Sequence, residues 1–223
     1  MITTLIIPTK NEAGAIGKVL QEIPKKSVQE IIVVDGHSQD NTQTEIRANL
    51  RKGKDKLIIQ KSTGYGGAFL EGFKQATGEI IIMMDADGSH NPEDIPFLIQ
   101  KIKGGYEYVM ASRYTTGAKS YDDTFIRWFG NQLFTLLTNI VHGTHVTDSL
   151  YLYTAITRAG LKKLQLHSPG FEFCTEILVK AHNAGLRFAE IPAIERKRYH
   201  GNSKVSALID GLKIMKMIFK QYN

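Results

Sequence analysis

Short apolar runs alternate with stretches of helical spacing through the first half of the chain. "ITTLIIP", "EIIVVD", "KLIIQ", "EIIIMMDAD" and "YVMASR" are near-continuous β-favouring segments. Between them, Ile16, Val19, Leu20 and Ile23 mark one face of a helix over 12–23. Similar spacing predicts helices over 41–50, 66–76 and 93–103. Strands apolar on both faces, alternating with helices, predict an α/β fold with a mostly parallel sheet flanked by helices. Such sheets bind ligands at the carboxyl ends of their strands. Lys10, Asn11 and Glu12 follow the first run, Asp35 closes the second, and Asp85 and Asp87 close the fourth.

The second half changes character. "FIRWFGNQLFTLLTNIVHG" predicts one helix with a wide apolar face of Phe125, Trp128, Phe129, Leu133, Leu136, Leu137 and Ile140. Another helix is expected over 171–184, then a strand at "RFAEIP" and a last helix over 204–220. That helix carries Val205, Leu208, Ile209, Leu212, Met215 and Phe219 on one side, and Lys213, Lys216 and Lys220 on another. No repeat or low-complexity linker divides the 223 residues. One domain over 1–202 with a basic amphipathic extension over 203–223 is the expected organisation.

Charge sharpens this picture. The net charge is +6, but from Arg187 onward eight Lys or Arg face only three acidic residues, while the remainder is nearly neutral. A basic tail points to an anionic partner (phosphate, acidic lipid or nucleic acid) or to a solvated helix face. A single cysteine, Cys174, excludes an internal disulfide and fits a reducing compartment. "MITTLIIPTK" lacks the basic and long apolar regions of a signal peptide. The longest uncharged stretch, 128–147, holds Asn131, Gln132, Asn139 and two histidines, too polar to span a bilayer.

Three segments carry candidate chemistry. In "DADGSHNPED", alternate residues of an extended segment share a face, so Asp85 and Asp87 can point the same way. Two carboxylates that close call for a cation, and oxygen ligands suit Mg²⁺ or Mn²⁺. Such an ion could bridge a diphosphate. The turn and capping residues Ser89, Asn91 and Pro92 explain the end of the segment but not the paired aspartates, which favour a metal. In "VVDGHSQDNT", Ser38 and Asp40 read as plain turn residues, or Asp35 is an acceptor for a ribose or base. "RKRYHGNSK" gathers Arg196, Lys197, Arg198 and Lys204 around Gly201, which reads equally as a phosphate grip or as a solvated loop. The glycine-rich "TGYGGA" fits neither a Walker A nor a G-x-G-x-x-G pattern.

Taken in order, "IIPTKNEAGAIGKVL", "IIVVDGHSQDNT", "GYGGAFLEGFKQATGEIIIMMDADGSHNPEDIP", "ASRY" and "EIPAIERKRYHGNSKV" resemble family 2 glycosyltransferases with the GT-A fold. Within these the chain is most similar to the dolichol-phosphate mannose synthase branch of polyprenyl-phosphate glycosyltransferases. The resemblance runs from Ile2 to about Val205 and is strongest at D-x-D and at the R-x-x-G-x-S-K of Arg198, Gly201, Ser203 and Lys204. It implies an inverting, metal-dependent transfer from GDP-mannose or a UDP-hexose to a polyprenyl or dolichyl phosphate. Pro8, Asn11, Glu12 and Asp35 match positions that hold the nucleotide. Asp85 would touch nucleotide or metal, Asp87 would be the principal metal ligand, and Ser89 stands at the next ligand position. Arg198 and Lys204 match the loop that grips the diphosphate; Arg113 and Arg127 match positions that receive the acceptor phosphate.

The chain departs from the family in two places. Tyr65 stands where a lysine is common, and "DSLYLYT" keeps Asp148 but loses the Ser-Gly and Arg of D-x-x-S-G-F-R. A phosphate acceptor is already largely ionised near neutral pH, so Asp148 is needed as a base only for a hydroxyl acceptor. Both amphipathic helices would lie on the cytoplasmic face of an anionic membrane, with a second copy or a membrane-anchoring subunit as further partners and no nucleic acid. The alternatives are a family 2 transferase acting on a soluble or glycan hydroxyl, and a non-enzymatic module binding anionic membrane or nucleic acid. A sugar nucleotidyltransferase would require an N-terminal G-x-G-T-R loop, which "IIPTKNEAGA" is not.

Overall fold

The expected apolar runs become strands: β1 (Thr3–Thr9), β2 (Glu30–Asp35), β3 (Lys56–Ile59), β4 (Ile80–Met83), β5 (Tyr108–Ser112) and, later, β8 (Phe188–Pro192). Helices α1 (Ile16–Glu22), α2 (Thr42–Asn49), α3 (Tyr65–Gln75) and α4 (Ile95–Lys103) separate the first five. Then come β6 (Lys119–Ser120), α5 (Phe125–His142), β7 (Thr154–Thr157), α6 (Arg158–Lys162), α7 (Phe173–Asn183), β9 (Ile194–Glu195) and α8 (Ile209–Ile218). This computed structural model describes residues 1–200, 206 and 209–220. Lys204, Val205 and Leu208 lie outside the described residues.

The main sheet has the order β3-β2-β1-β4-β7-β5-β8. All neighbours are parallel except β7, which runs antiparallel to both β4 and β5. β7 was not expected: Thr154-Ala155-Ile156-Thr157 offers no apolar run to read. Alternate strand residues feed two cores, as both-face burial demands. Leu5, Ile7, Val33 and Ile82 pack beneath Ile16, Leu20, Ile46 and Leu98. On the other face, Ile6, Ile32, Ile81 and Met83 meet Phe69, Phe173 and Ile177.

Three expectations are corrected. The first helix begins at Ile16 rather than Glu12, because Asn11 and Gly14 take left-handed backbone (φ 52° and 84°) that no α-helix accommodates. The fourth strand stops at Met83, so Asp85 and Asp87 stand on a turn beyond it. The last helix buries Ile214 and Ile218, not the anticipated stripe; Ile209, Leu212 and Phe219 of that stripe face outward.

α5 is inverted relative to an ordinary surface helix. Its buried residues are Thr135 and Thr138, whereas Phe125, Ile126, Phe129, Leu136 and Ile140 are exposed, Ile126 by 79 %. Thr135 is docked by Ser149, whose backbone N–H donates to its hydroxyl (3.0 Å). His142 at its end bonds the Ile218 carbonyl of α8 (2.6 Å).

Candidate active site

A cleft of about 380 Å³ opens at the carboxyl ends of β1, β2 and β4. Pro8, Lys10 and Glu12 line it from the loop after β1, and His37 from the loop after β2. Gln60, Tyr65, Asp85, Asp87, Phe171 and Arg198 complete the wall. This is the position that a parallel sheet dictates for a ligand.

The two aspartates enter the cleft with Ala86 turned into the core between them. Each is oriented by groups from elsewhere in the chain. Tyr65 donates its hydroxyl to Asp85 Oδ1 (2.6 Å), while its ring stacks on Phe171 with centroids 4.7 Å apart. Burial, with the nearby Asp85 charge, raises the Tyr65 hydroxyl well above the ordinary tyrosine value, so it remains a donor. The Asp85 backbone N–H donates to His90 Nδ1 (3.1 Å). His90 lies flat against Tyr153 (4.7 Å), and its burial pushes the imidazole down to about 3, so it is neutral at physiological pH.

Asp87 is more deeply set. Its Oδ1 accepts the Ser89 N–H (2.9 Å), and its Oδ2 lies 2.8 Å from Arg198 Nη1. Burial alone would raise its carboxyl, but Arg198 and the Ser89 N–H outweigh that and hold it below the usual carboxylate value. Arg198 arrives on a segment that runs beside the turn: Arg196 N–H donates to Ser89 O and Tyr199 N–H to Asp87 O, both at 2.8 Å. The Tyr199 ring covers Gly88, where any Cβ would come within 2.3 Å of it; with φ at 86°, only glycine suits this turn. Arg198 Nε also donates to Asp122 (2.9 Å), a residue absent from every motif.

The other expected residues divide. Pro8 and Glu12 line the cleft, but Asn11 does not; it braces two loops, its N–H on Ser38 Oγ and its Oδ1 on Gln39 N–H, both 2.8 Å. Asp35 is fully buried and does not line the cleft; its oxygens accept from the Ser38 N–H (3.0 Å), the Ser38 hydroxyl (2.5 Å), Gln43 Nε2 (2.8 Å) and the Thr9 hydroxyl (3.3 Å). Here it organises the turn of the following loop. Ser89 is 2 % exposed and outside the lining, so it does not present a third ligand. Arg113 is not open to a phosphate: Nε and Nη2 grip Asp148 (2.7 and 3.0 Å), and Nη1 lies 3.6 Å from Glu195. Burial opposes the Arg113 charge, yet these carboxylates raise it well above its ordinary value. Asp148 is fully buried in that grip, which suits it to hold Arg113 in place. Arg127, at the head of α5, is exposed apart from its contact with Asp122 (3.2 Å).

The donor set fits a divalent cation completed by a substrate. Among the described residues no cluster of three or more His, Cys, Asp or Glu is arranged around a metal. Mg²⁺ and Mn²⁺ sites of the phosphate-binding kind need only one or two carboxylates, the remaining ligands being phosphate and water. The Arg198 guanidinium on Asp87 shows that this corner already attracts positive charge. Asp85 and Asp87 would hold the ion.

The sequence matches the family model described as Glycosyl transferase family 2 over residues 4–165. It is 31% identical over 212 residues to a dolichol-phosphate mannosyltransferase of Pyrococcus furiosus, covering 92% of this chain and 59% of that protein. The chain thus spans about three fifths of the length of that relative. It is also 31% identical over 208 residues to the UDP-N-acetylglucosamine–dolichyl-phosphate N-acetylglucosaminyltransferase of Methanococcus voltae, covering 84% of this chain and 83% of that one. Among solved structures, glucosyl-3-phosphoglycerate synthase from Mycobacterium tuberculosis, crystallised with Mn²⁺, UDP and glucosyl-3-phosphoglycerate, superposes with a TM-score of 0.77. That likeness has 20% sequence identity and covers 97% of this chain and 78% of that one.

Proposed function

The chain belongs to glycosyl transferase family 2, with the GT-A fold, and we propose that it moves a sugar from a nucleotide-sugar donor to a polyprenyl phosphate at a membrane surface. The observation that carries this reading is the convergence of Asp85, Asp87 and Arg198 on one cleft at the strand ends. Carboxylates that recruit a cation, beside a guanidinium with a fixed fork of donors, make a receptor for a diphosphate. The two relatives are named for dolichol phosphate and dolichyl phosphate, one with mannosyl and the other with N-acetylglucosaminyl transfer, which supports a lipid phosphate as acceptor. GDP-mannose and UDP-hexoses are the donors to compare.

The chemistry asks little proton transfer of the protein. An acceptor phosphate monoester, with a second pKa of about 6, is already nucleophilic near neutral pH. The chain's task is to align it in line with the anomeric carbon and to neutralise the departing diphosphate. Direct displacement with inversion follows, without a covalent intermediate. Arg198, joined by Lys204, would face the diphosphate, and Pro8 and Glu12 would border the nucleotide. Asp85 and Asp87 would hold a divalent ion, which when bound would supply charge neutralisation to the leaving group. Asp148 is engaged with Arg113, so a hydroxyl acceptor, which needs a base, is the weaker reading. Arg127, exposed at the head of the apolar α5, is the better placed of the two basic positions to meet a lipid phosphate.

The test is a transfer assay read by mass spectrometry. Protein, Mn²⁺ or Mg²⁺ and a polyprenyl phosphate in detergent are incubated with GDP-mannose, UDP-glucose and UDP-N-acetylglucosamine in turn. A glycosylated polyprenyl phosphate that vanishes with chelator and with Asp87→Ala is expected. Slow donor hydrolysis without lipid product would leave the donor site standing and remove the acceptor.

A further inference from the structure

Arg198 is held by two carboxylates, of which only Asp87 belongs to a sequence motif. Its Nη1 donates to Asp87 (2.8 Å) and its Nε to Asp122 Oδ2 (2.9 Å). The same Asp122 oxygen accepts from Arg127 Nη1 (3.2 Å). Asp122 lies between β6 and α5 and lines no part of the cleft. One carboxylate therefore joins the segment behind the donor cleft to the head of α5.

The consequence rests on the donor reading given above. Were Asp87 to hold a cation with a diphosphate, Arg198 would share that carboxylate with a second positive charge, and like charges at one site repel. The hold of Arg198 on Asp87 would then loosen. A long arginine with no other anchor would return to solvent, but Nε remains tied to Asp122. The guanidinium fork has five N–H donors in fixed geometry, so anchoring Nε leaves the outer Nη edge to turn toward phosphate. We infer that Asp122 is the positioning residue that keeps Arg198 over the cleft once a donor diphosphate takes Asp87. The shared Asp122 oxygen also places one negative charge against both guanidinium groups.

Titration calorimetry separates this role from a merely structural one. UDP and GDP are titrated with Mn²⁺ into the wild type and into Asp122→Asn, Asp122→Ala and Asp122→Glu, alongside UMP and GMP, which lack the β-phosphate. For Asn and Ala, loss of one charge-assisted contact to the diphosphate weakens it about tenfold. The monophosphate should weaken by less than about twofold in the same variants, since Arg198 would serve the second phosphate. Glu should restore most of the loss. Arg198→Ala should reproduce the loss, and the double variant should add nothing, because both substitutions remove the same contact. Parallel weakening of mono- and diphosphate, unchanged affinity, or fully additive losses would each overturn the inference. The near-isosteric Asn variant keeps the test valid where Ala fails to fold. If the wild type binds neither diphosphate, the donor reading fails and the inference falls with it; if it binds one and the variants match it, only the inference falls.

Discussion

At the scale of single residues, the site is built by pairs whose members lie far apart in the chain. Asp85 and Asp87 were legible because they share one short segment behind a buried strand. Tyr65 and Asp122 were not, since nothing in sequence spacing brings residue 65 to 85 or 122 to 198. Tyr65 illustrates the physics. Its hydroxyl fixes Oδ1 of Asp85, and the stack on Phe171 fixes the ring. Tyr65→Phe keeps the stack and removes the O–H. A hydrogen bond to a charged group is worth about 1.5–3 kcal/mol, so affinity for Mn²⁺ with nucleoside diphosphate should fall about tenfold or more, with a melting temperature lower by a few degrees and the protein still folded. Unchanged calorimetric affinity would show that Asp85 is oriented without Tyr65. Asp35 carries the opposite lesson: a carboxylate at a strand end resembles a ligand in sequence, yet here its hydrogen bonds tie the end of β1, the loop after β2 and α2 together.

At the scale of elements, the parallel strands and their helices could be read from periodicity, whereas β7 and the turn before α1 could not. A four-residue strand with two threonines carries no hydrophobic signal, and its pairing with β4 and β5 is a tertiary choice. Helix α4 shows what burial at an element's end does to charge. Asp94 precedes it, with Oδ2 buried and unpartnered among the described residues. Burial, only partly offset by Arg196, pushes its carboxyl up to about 6. The folded state therefore holds this proton more tightly than the unfolded chain. That contribution to stability is complete below the unfolded value near 4 and is lost as pH rises through about 6. Ionised Asp94 then costs roughly 2–3 kcal/mol near pH 7.5, since one pKa unit is about 1.4 kcal/mol. Asp94→Asn should be more stable than wild type by about 2 kcal/mol at pH 7.5 and indistinguishable from it at pH 4, as read by urea unfolding. An equal difference at both values would locate the effect in packing and not in the charge.

At the scale of the whole molecule, the outward apolar face of α5 is what a water-soluble body alone would not produce. A wide apolar stripe is legible in the spacing, but periodicity cannot say whether a stripe faces a core or the exterior; here polar Thr135 and Thr138 took the inside. Ile126, Phe129 and Ile140 of α5 remain exposed, as do Ile209 and Leu212 of α8 and Phe219 just beyond it; Lys213 and Lys216 are exposed on α8 and Lys220 past its end. No helix among the described residues is long and apolar enough to cross a membrane. An apolar strip edged with lysines suits the interface of an anionic bilayer, where the acceptor proposed above resides. Transferring one large apolar side chain out of water is worth about 1.5–3 kcal/mol, so Phe129→Asp with Ile140→Asp should weaken binding to phosphatidylserine vesicles more than about a hundredfold. Nucleotide affinity should be untouched, because neither residue lines the cleft. Charge reversal at Lys213 and Lys216 should instead weaken binding in a salt-dependent way, strongly at a Debye length of about 30 Å and weakly at about 8 Å. Vesicle cosedimentation at two ionic strengths distinguishes these terms. If wild type ignores vesicles but forms a concentration-dependent dimer that Phe129→Asp dissolves, the apolar face belongs to a second copy of this chain, and the acceptor would have to reach the cleft by another route.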